Sequence, residues 1–220
     1  MNILIIGAHP DDEVLGMGAT IKKLHKNNHK IHLCVVSEGT SAQYDDKKMI
    51  KIRRDWCIKA GKILGISEFN FLDFPDAKLD SIPQLEINIE LEKIILKFKP
   101  KIVYTTPDND VSKDHSIVFD STLVACRPHN NSISQLLSYE SPSGYTTGAI
   151  TKFPFQPNVF EDVTNEFRYK IKAFKAYKSE VRKFPHPRSL IAIESLAIRR
   201  GVEAGLKKAE AFKLIYGINQ

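Results

Sequence analysis

The stretch Ile3-Leu4-Ile5-Ile6-Gly7-Ala8-His9-Pro10-Asp11-Asp12-Glu13 decides how this chain is read. Its first half is a short, β-branched-rich apolar run, the mark of a strand buried on both faces. Its second half is not a glycine-rich phosphate cradle. One imidazole and three carboxylates fall within five residues, and a helix-like segment from Leu15 to Leu24 follows. In open α/β sheets, ligands bind outside the carboxyl ends of parallel strands, where strand passes into helix. His9, Asp11, Asp12 and Glu13 stand at such a point. His9 and Asp12, three residues apart on a tight turn, are spaced to grip one metal ion while Asp11 points elsewhere. This is half of a metal site.

Working outward, strand-like and helix-like segments alternate. Lys30 to Val36 reads as a strand that ends in Ser37-Glu38-Gly39-Thr40. Lys47 to Leu64 reads as a helix closed by Gly65. Phe69 to Asp73 is a short strand, and Leu85 to Phe98 an amphipathic helix stopped by Lys99-Pro100. A strand at 101–106, a helix from Ser116 to Cys126 and a strand from Gln135 to Glu140 complete the series. This order predicts an α/β fold with a mostly parallel, doubly wound sheet and helices on both faces.

The last third changes character. Ser141-Pro142-Ser143-Gly144-Tyr145-Thr146-Thr147-Gly148 is loop chemistry, and Phe153-Pro154-Phe155-Gln156-Pro157 excludes regular structure. A basic amphipathic helix, a break at Phe184-Pro185-His186-Pro187-Arg188-Ser189, a helix from about Ser189 to Arg200 and a closing strand over 211–216 follow. The reading is one domain over 1–220, with a sheet core over 1–140 and a cap with closing elements over 141–220.

A chain of 220 residues, 42% hydrophobic and 26% charged, is long enough to bury a full core. It opens directly into a strand and holds no apolar run of membrane-spanning length, which predicts neither a signal peptide nor a transmembrane segment. Cys34, Cys57 and Cys126 are widely spaced in apolar surroundings and read as buried free thiols of a cytoplasmic protein. The net charge of +6 invites a nucleic-acid reading. However, the densest basic group (Arg168, Lys170, Lys172, Lys175, Lys178, Arg182, Lys183) shares a helix with Phe167, Ile171, Phe174, Tyr177 and Val181 at core spacing. That pattern predicts a solvated helix face and no nucleic-acid partner. The sequence leaves room for a homo-oligomer.

The second half of the site belongs to the strand at 101–106. It leads into Pro107-Asp108-Asn109-Asp110-Val111-Ser112-Lys113-Asp114-His115, an acidic loop ending in Asp-His just before a helix. Two histidines and one carboxylate leave part of a zinc shell open for water and substrate. Zinc held so lowers the pKa of its water to about 7. A carboxylate within reach of that water can take its proton, and both Asp11 and Asp114 qualify. Asp11 is favoured, because its neighbour Asp12 is the better-spaced partner for His9.

Ala8-His9-Pro10-Asp11-Asp12-Glu13 together with Asp114-His115 resembles the PIG-L/LmbE-like zinc-dependent N-deacetylases. The resemblance extends to Arg53 ahead of Leu64-Gly65, Pro157-Asn158 ahead of Asp162, Gly201-Val202-Glu203-Ala204-Gly205 and Ala209-Glu210-Ala211-Phe212. It implies a Rossmann-like fold, Zn2+ or another divalent metal held by His9, Asp12 and His115, and Asp11 as general base. It also implies removal of acetyl from an N-acetylated amino sugar, free or linked to a nucleotide or lipid. Arg53 and Asp114 then belong to the substrate-side or supporting machinery.

Two departures from the family pattern stand out. Many members carry a histidine three residues before the metal-binding one, helping to stabilise the oxyanion; here that residue is Ser112, which can donate a hydrogen bond but cannot act as an imidazolium. His186, between two prolines, is the candidate replacement, and Arg188 suits an anionic group on the substrate. Trp56 stands where an acidic residue commonly holds the arginine one turn earlier, so Arg53 needs another partner, with Asp55 the nearest. Two further classes share parts of the pattern. A non-haem iron oxygenase uses two His and one carboxylate, but such sites usually sit on β-barrels. A non-catalytic sugar- or nucleotide-binding module would have little use for both histidines, Asp11 and Asp12 together.

Overall fold

A computed structural model of the chain describes residues 1–40, 48–108, 110–130, 133–142 and 154–219. Lys47, Asn109, Ser143 to Gly148 and Phe153, on which parts of the sequence reading fall, lie outside the described residues. The elements run β1 (Asn2–Gly7), α1 (Asp12–Lys26), β2 (Lys30–Ser37), α2 (Lys48–Leu64), β3 (Glu68–Phe74), α3 (Gln84–Phe98) and β4 (Ile102–Thr105). They continue with α4 (Lys113–Ala125), β5 (Gln135–Tyr139), β6 (Val159–Asp162), α5 (Phe167–Phe174), α6 (Leu190–Glu203) and β7 (Ala209–Gly217).

The strands form one seven-stranded sheet in the order β3-β2-β1-β4-β5-β7-β6. The first five in this order are parallel, β7 runs antiparallel to β5, and the edge strand β6 pairs antiparallel with β7. The alternation of side chains along β1 decides which core each residue joins. Ile3 and Ile5 pack into a cluster with α1, α2, α5 and α6, whereas Leu4 and Ile6 face α3 and α4. Burial on both faces is why β1 reads as an unbroken apolar run. Between β1 and β4 the order of winding reverses, the point at which open α/β sheets bind their ligands. The helix α3 ends where the sequence says, with Lys99 in the left-handed region (φ 51) before Pro100.

Two expectations are corrected, and one unanticipated strand is added. The helix α4 begins at Lys113, not Ser116, with Ser112 extended at its N-terminal boundary, so Asp114 and His115 lie in the first helical turn. The strand β6 falls just after the proline-rich stretch that excluded regular structure; its four residues Val-Phe-Glu-Asp are too few and too polar to show a period, and it forms by edge pairing with β7. The basic helix is short, since α5 ends at Phe174. Its face is not wholly solvated either: Lys170 is buried, because Glu210 on β7 supplies its counter-charge, while the other six basic residues are exposed. All three cysteines are buried and free. No helix among the described residues is long and apolar enough to cross a membrane.

Candidate metal centre and active site

The turn after β1 is built by its own residues. The His9 amide donates to Asp12 Oδ2 at 2.8 Å, and the Asp12 amide returns to the His9 carbonyl at 3.3 Å. Asp11 at the start of α1 has φ 131, a backbone state that side-chain-bearing residues seldom adopt and that is found most often at functional sites. Its amide donates to Glu13 Oε2 at 3.2 Å, while its carboxylate turns to two arginines rather than to His9.

From β4 the chain delivers the second histidine. Thr106 Oγ1 donates to the His115 carbonyl at 2.8 Å, and the His9 and His115 rings lie 5.3 Å apart. Each ring is held on one nitrogen by a carboxylate. His9 Nε2 meets Asp114 Oδ2 at 3.0 Å and Asp76 Oδ1 at 3.2 Å; His115 Nδ1 meets Asp110 Oδ2 at 2.8 Å. A carboxylate can only accept, so those nitrogens carry the hydrogens and the opposite ones are left as donors to a metal. These are His9 Nδ1, 3.6 Å from Asp12 Oδ2, and His115 Nε2, 3.3 Å from Asp12 Oδ1.

His9, Asp12 and His115 thus present ligand atoms within 4.8 Å of one another, two nitrogens and one carboxylate, which fits a zinc-type site with open positions. His9, Asp76 and Asp114 meet the same distance test. There, however, Asp114 already accepts from the amides of Ala77 (2.8 Å) and Leu79 (3.2 Å), and the His9 nitrogen carries a proton. Asp114 is an orienting group with both oxygens occupied. Electrostatics agree with a cation at the first group. Burial opposes charging His115, yet Asp12 and Asp110 raise its pKa to about 9. Burial also opposes charging His9, and the carboxylates of Asp114, Asp12 and Asp76 still bring its pKa well above the ordinary value. A field that binds protons this firmly favours a divalent cation in their place.

Beside these residues lies Asp11. Its Oδ2 is 3.3 Å from Arg188 and 3.6 Å from Arg53, and its Oδ1 is buried with no hydrogen-bond partner among the described residues. Burial pushes its carboxyl up to about 6 against the pull of Arg188 and Arg53. Arg53 also donates to the Pro10 carbonyl (3.0 Å) and to Glu180 (3.1 Å), and Arg188 pairs with the other Glu180 oxygen. The partner of Arg53 is therefore Glu180, and Asp55 is exposed. Behind Asp11, the buried Glu13 accepts from Tyr177 Oη at 2.6 Å, and burial lifts its pKa to about 8. Ser112 makes no capping bond with its side chain, and its amide donates to Asp110. His186 is exposed, with Nδ1 accepting from the Arg188 amide at 3.0 Å.

Sequence reasoning missed Asp110, Asp76 and Glu180. Asp110 stands five residues before His115 in an acidic loop and was the most accessible of the three. Glu180 carries no local signal at all.

A family model described as PIG-L, GlcNAc-PI de-N-acetylase, matches residues 4–126. The chain belongs to the PIG-L family. Among curated relatives, an uncharacterized deacetylase, YaiS, from Escherichia coli is 37% identical over 183 residues, covering 80% of this chain and 90% of that protein. In fold, N,N'-diacetylchitobiose deacetylase from Pyrococcus horikoshii superposes with a TM-score of 0.80 at 22% identity, over 97% of this chain and 83% of that one. GalB, the 4-carboxy-2-hydroxymuconate hydratase from Pseudomonas putida, superposes with a TM-score of 0.79 at 19% identity, over 100% and 98%. The PIG-L fold thus carries more than one chemistry, and the activity has to be argued from the site.

Proposed function

We propose that this chain is a zinc-dependent N-deacetylase that hydrolyses the acetamide of an N-acetylated amino sugar or sugar conjugate, acting as one domain in the cytoplasm. The observation that carries the reading is Asp11, a buried carboxylate with one oxygen unpartnered among the described residues, set beside three converging candidate metal ligands. His9, Asp12 and His115 would hold a divalent cation, which would supply Lewis acidity toward the acetamide carbonyl and make water more acidic. Asp11 Oδ1 accepts the proton of the attacking water and returns it to the departing amine. Arg53 and Arg188 hold the other oxygen of Asp11, and Asp114 and Asp110 fix the two imidazole rings.

Oxyanion stabilisation falls to a donor other than the familiar histidine. His186 Nδ1 is taken up as an acceptor, so its Nε2 carries the hydrogen and can donate, and the Ser112 hydroxyl is the competing donor. The exposed part of Arg188 faces an anionic substituent of the substrate. The PIG-L model's description points to a lipid-linked sugar and the diacetylchitobiose enzyme to a free disaccharide, so both belong in the assay.

The test is acetate release from free, nucleotide-linked and lipid-linked N-acetylamino sugars, with metal content measured on the same protein. Acetate release that stops on chelation and returns with Zn2+ is the expected result. Addition of water to an unsaturated carboxylic acid, with no acetate released from any acetamide, would overturn it.

A further inference from the structure

The helix α1, which carries Asp12 on its first turn, is broken: Met17 departs from helical geometry at φ −144, ψ 25. A break exposes carbonyls at the end of the first piece and amides at the start of the second, and these must find partners. Here they find one ion pair. Lys170 Nζ donates to the Leu15 carbonyl at 2.7 Å, while the amides of Ala19 and Thr20 donate to Glu210 Oε1 (3.1 Å) and Oε2 (2.6 Å). Lys170 and Glu210 meet at 2.7 Å, and both are about 5% exposed or less. The ammonium sits at the carbonyl end of the first piece and the carboxylate at the amide end of the second, each against the opposite partial charge.

The first piece is also the metal-binding turn. The Leu15 amide donates to the Asp11 carbonyl at 2.9 Å, one residue before Asp12, so the segment that Lys170 holds at one end bears the ligand at the other. Gly16 lies against Tyr139, whose hydroxyl donates to the Ile6 carbonyl of β1. We infer that Lys170 and Glu210 are positioning residues for the metal centre: their pair fixes the break in α1 and so aims Asp12 at His9 and His115. The inference rests on the metal reading of the site, and not on which bond is hydrolysed.

The experiment is the Zn2+ dissociation constant, by competition with a chelator, for the unmodified chain and four variants. Glu210→Gln and Lys170→Met remove one charge each and stand in for one another should either fail to fold. The double exchange Lys170→Glu/Glu210→Lys keeps a pair but puts each charge at the wrong helix end. Glu140→Gln loosens the buried pair with Arg200, which among the described residues makes no hydrogen bond to α1, and serves as the control for general destabilisation. About tenfold or more weaker Zn2+ binding is expected for the two single variants, a loss typical of supporting groups around a metal. The exchange should not restore it, and Glu140→Gln should lower the Tm with Zn2+ affinity unchanged. Unchanged affinity in both single variants, full restoration by the exchange, or an equal loss in Glu140→Gln overturns the positioning role while leaving the metal reading intact. Failure of the unmodified chain to take up Zn2+ overturns both.

Discussion

Asp110 Oδ2 lies 2.8 Å from His115 Nδ1, and this one bond decides which nitrogen of His115 faces Asp12. Without it the ring keeps its contact with Asp12 on the other side, but the hydrogen is no longer pinned to Nδ1. Asp110→Ala is expected to weaken Zn2+ binding by about 10–100-fold while His9, Asp12 and His115 remain in place. Chelator competition reads this directly, and an unaltered dissociation constant would remove Asp110 from the site.

Asp11→Asn keeps the shape of the side chain but cannot accept a proton. Metal content should stay stoichiometric, and kcat/KM for acetate release should fall by about 10²–10⁴-fold. Near-normal turnover would move the proton transfer to another group.

Glu180 stands between Arg53 and Arg188 and reaches both. Glu180→Ala leaves the buried Arg53 short of a partner. Breaking a buried pair costs about 3–5 kcal/mol, and the low end is expected because Asp11 takes over part of the charge and Arg188 is a third exposed. Urea unfolding measures it; a cost under about 1 kcal/mol would show that Asp11 alone can hold both arginines.

His186 and Ser112 compete for one role, and paired substitutions separate them. His186→Ala should lower kcat by about 10²-fold, the usual loss of one oxyanion donor, with Ser112→Ala within a few-fold of the unmodified enzyme. The reverse pattern assigns the donor to Ser112.

Gly16 has no room for a methyl group: a Cβ there would come within 2.3 Å of the Tyr139 ring. Gly16→Ala should destabilise the fold by about 1–3 kcal/mol through overpacking, despite alanine's better helix propensity. A stabilised variant in thermal or urea unfolding would mean that the ring yields freely.

Much of this molecule is decided locally and is therefore written in order along the chain. Ile3 to Ile6 are apolar on both faces because helices cover both, and Lys99-Pro100 stops α3 through its own backbone limits. The pair His9 and Asp12 sits within one turn, so its metal-binding spacing is visible without a fold. Tertiary structure decided what depends on approach from far away. Glu180 reaches Arg53 across 127 residues and Glu210 reaches the α1 break across about 190, and neither has a neighbour in sequence that announces the contact. Lys170 reads as one solvated basic residue among seven until β7 brings a carboxylate beneath it. The strand β6 exists only because β7 offers an edge. Local rules fix elements and nearby ligands; the partners that satisfy buried charge and broken backbone are chosen by packing, and packing has no period in the sequence.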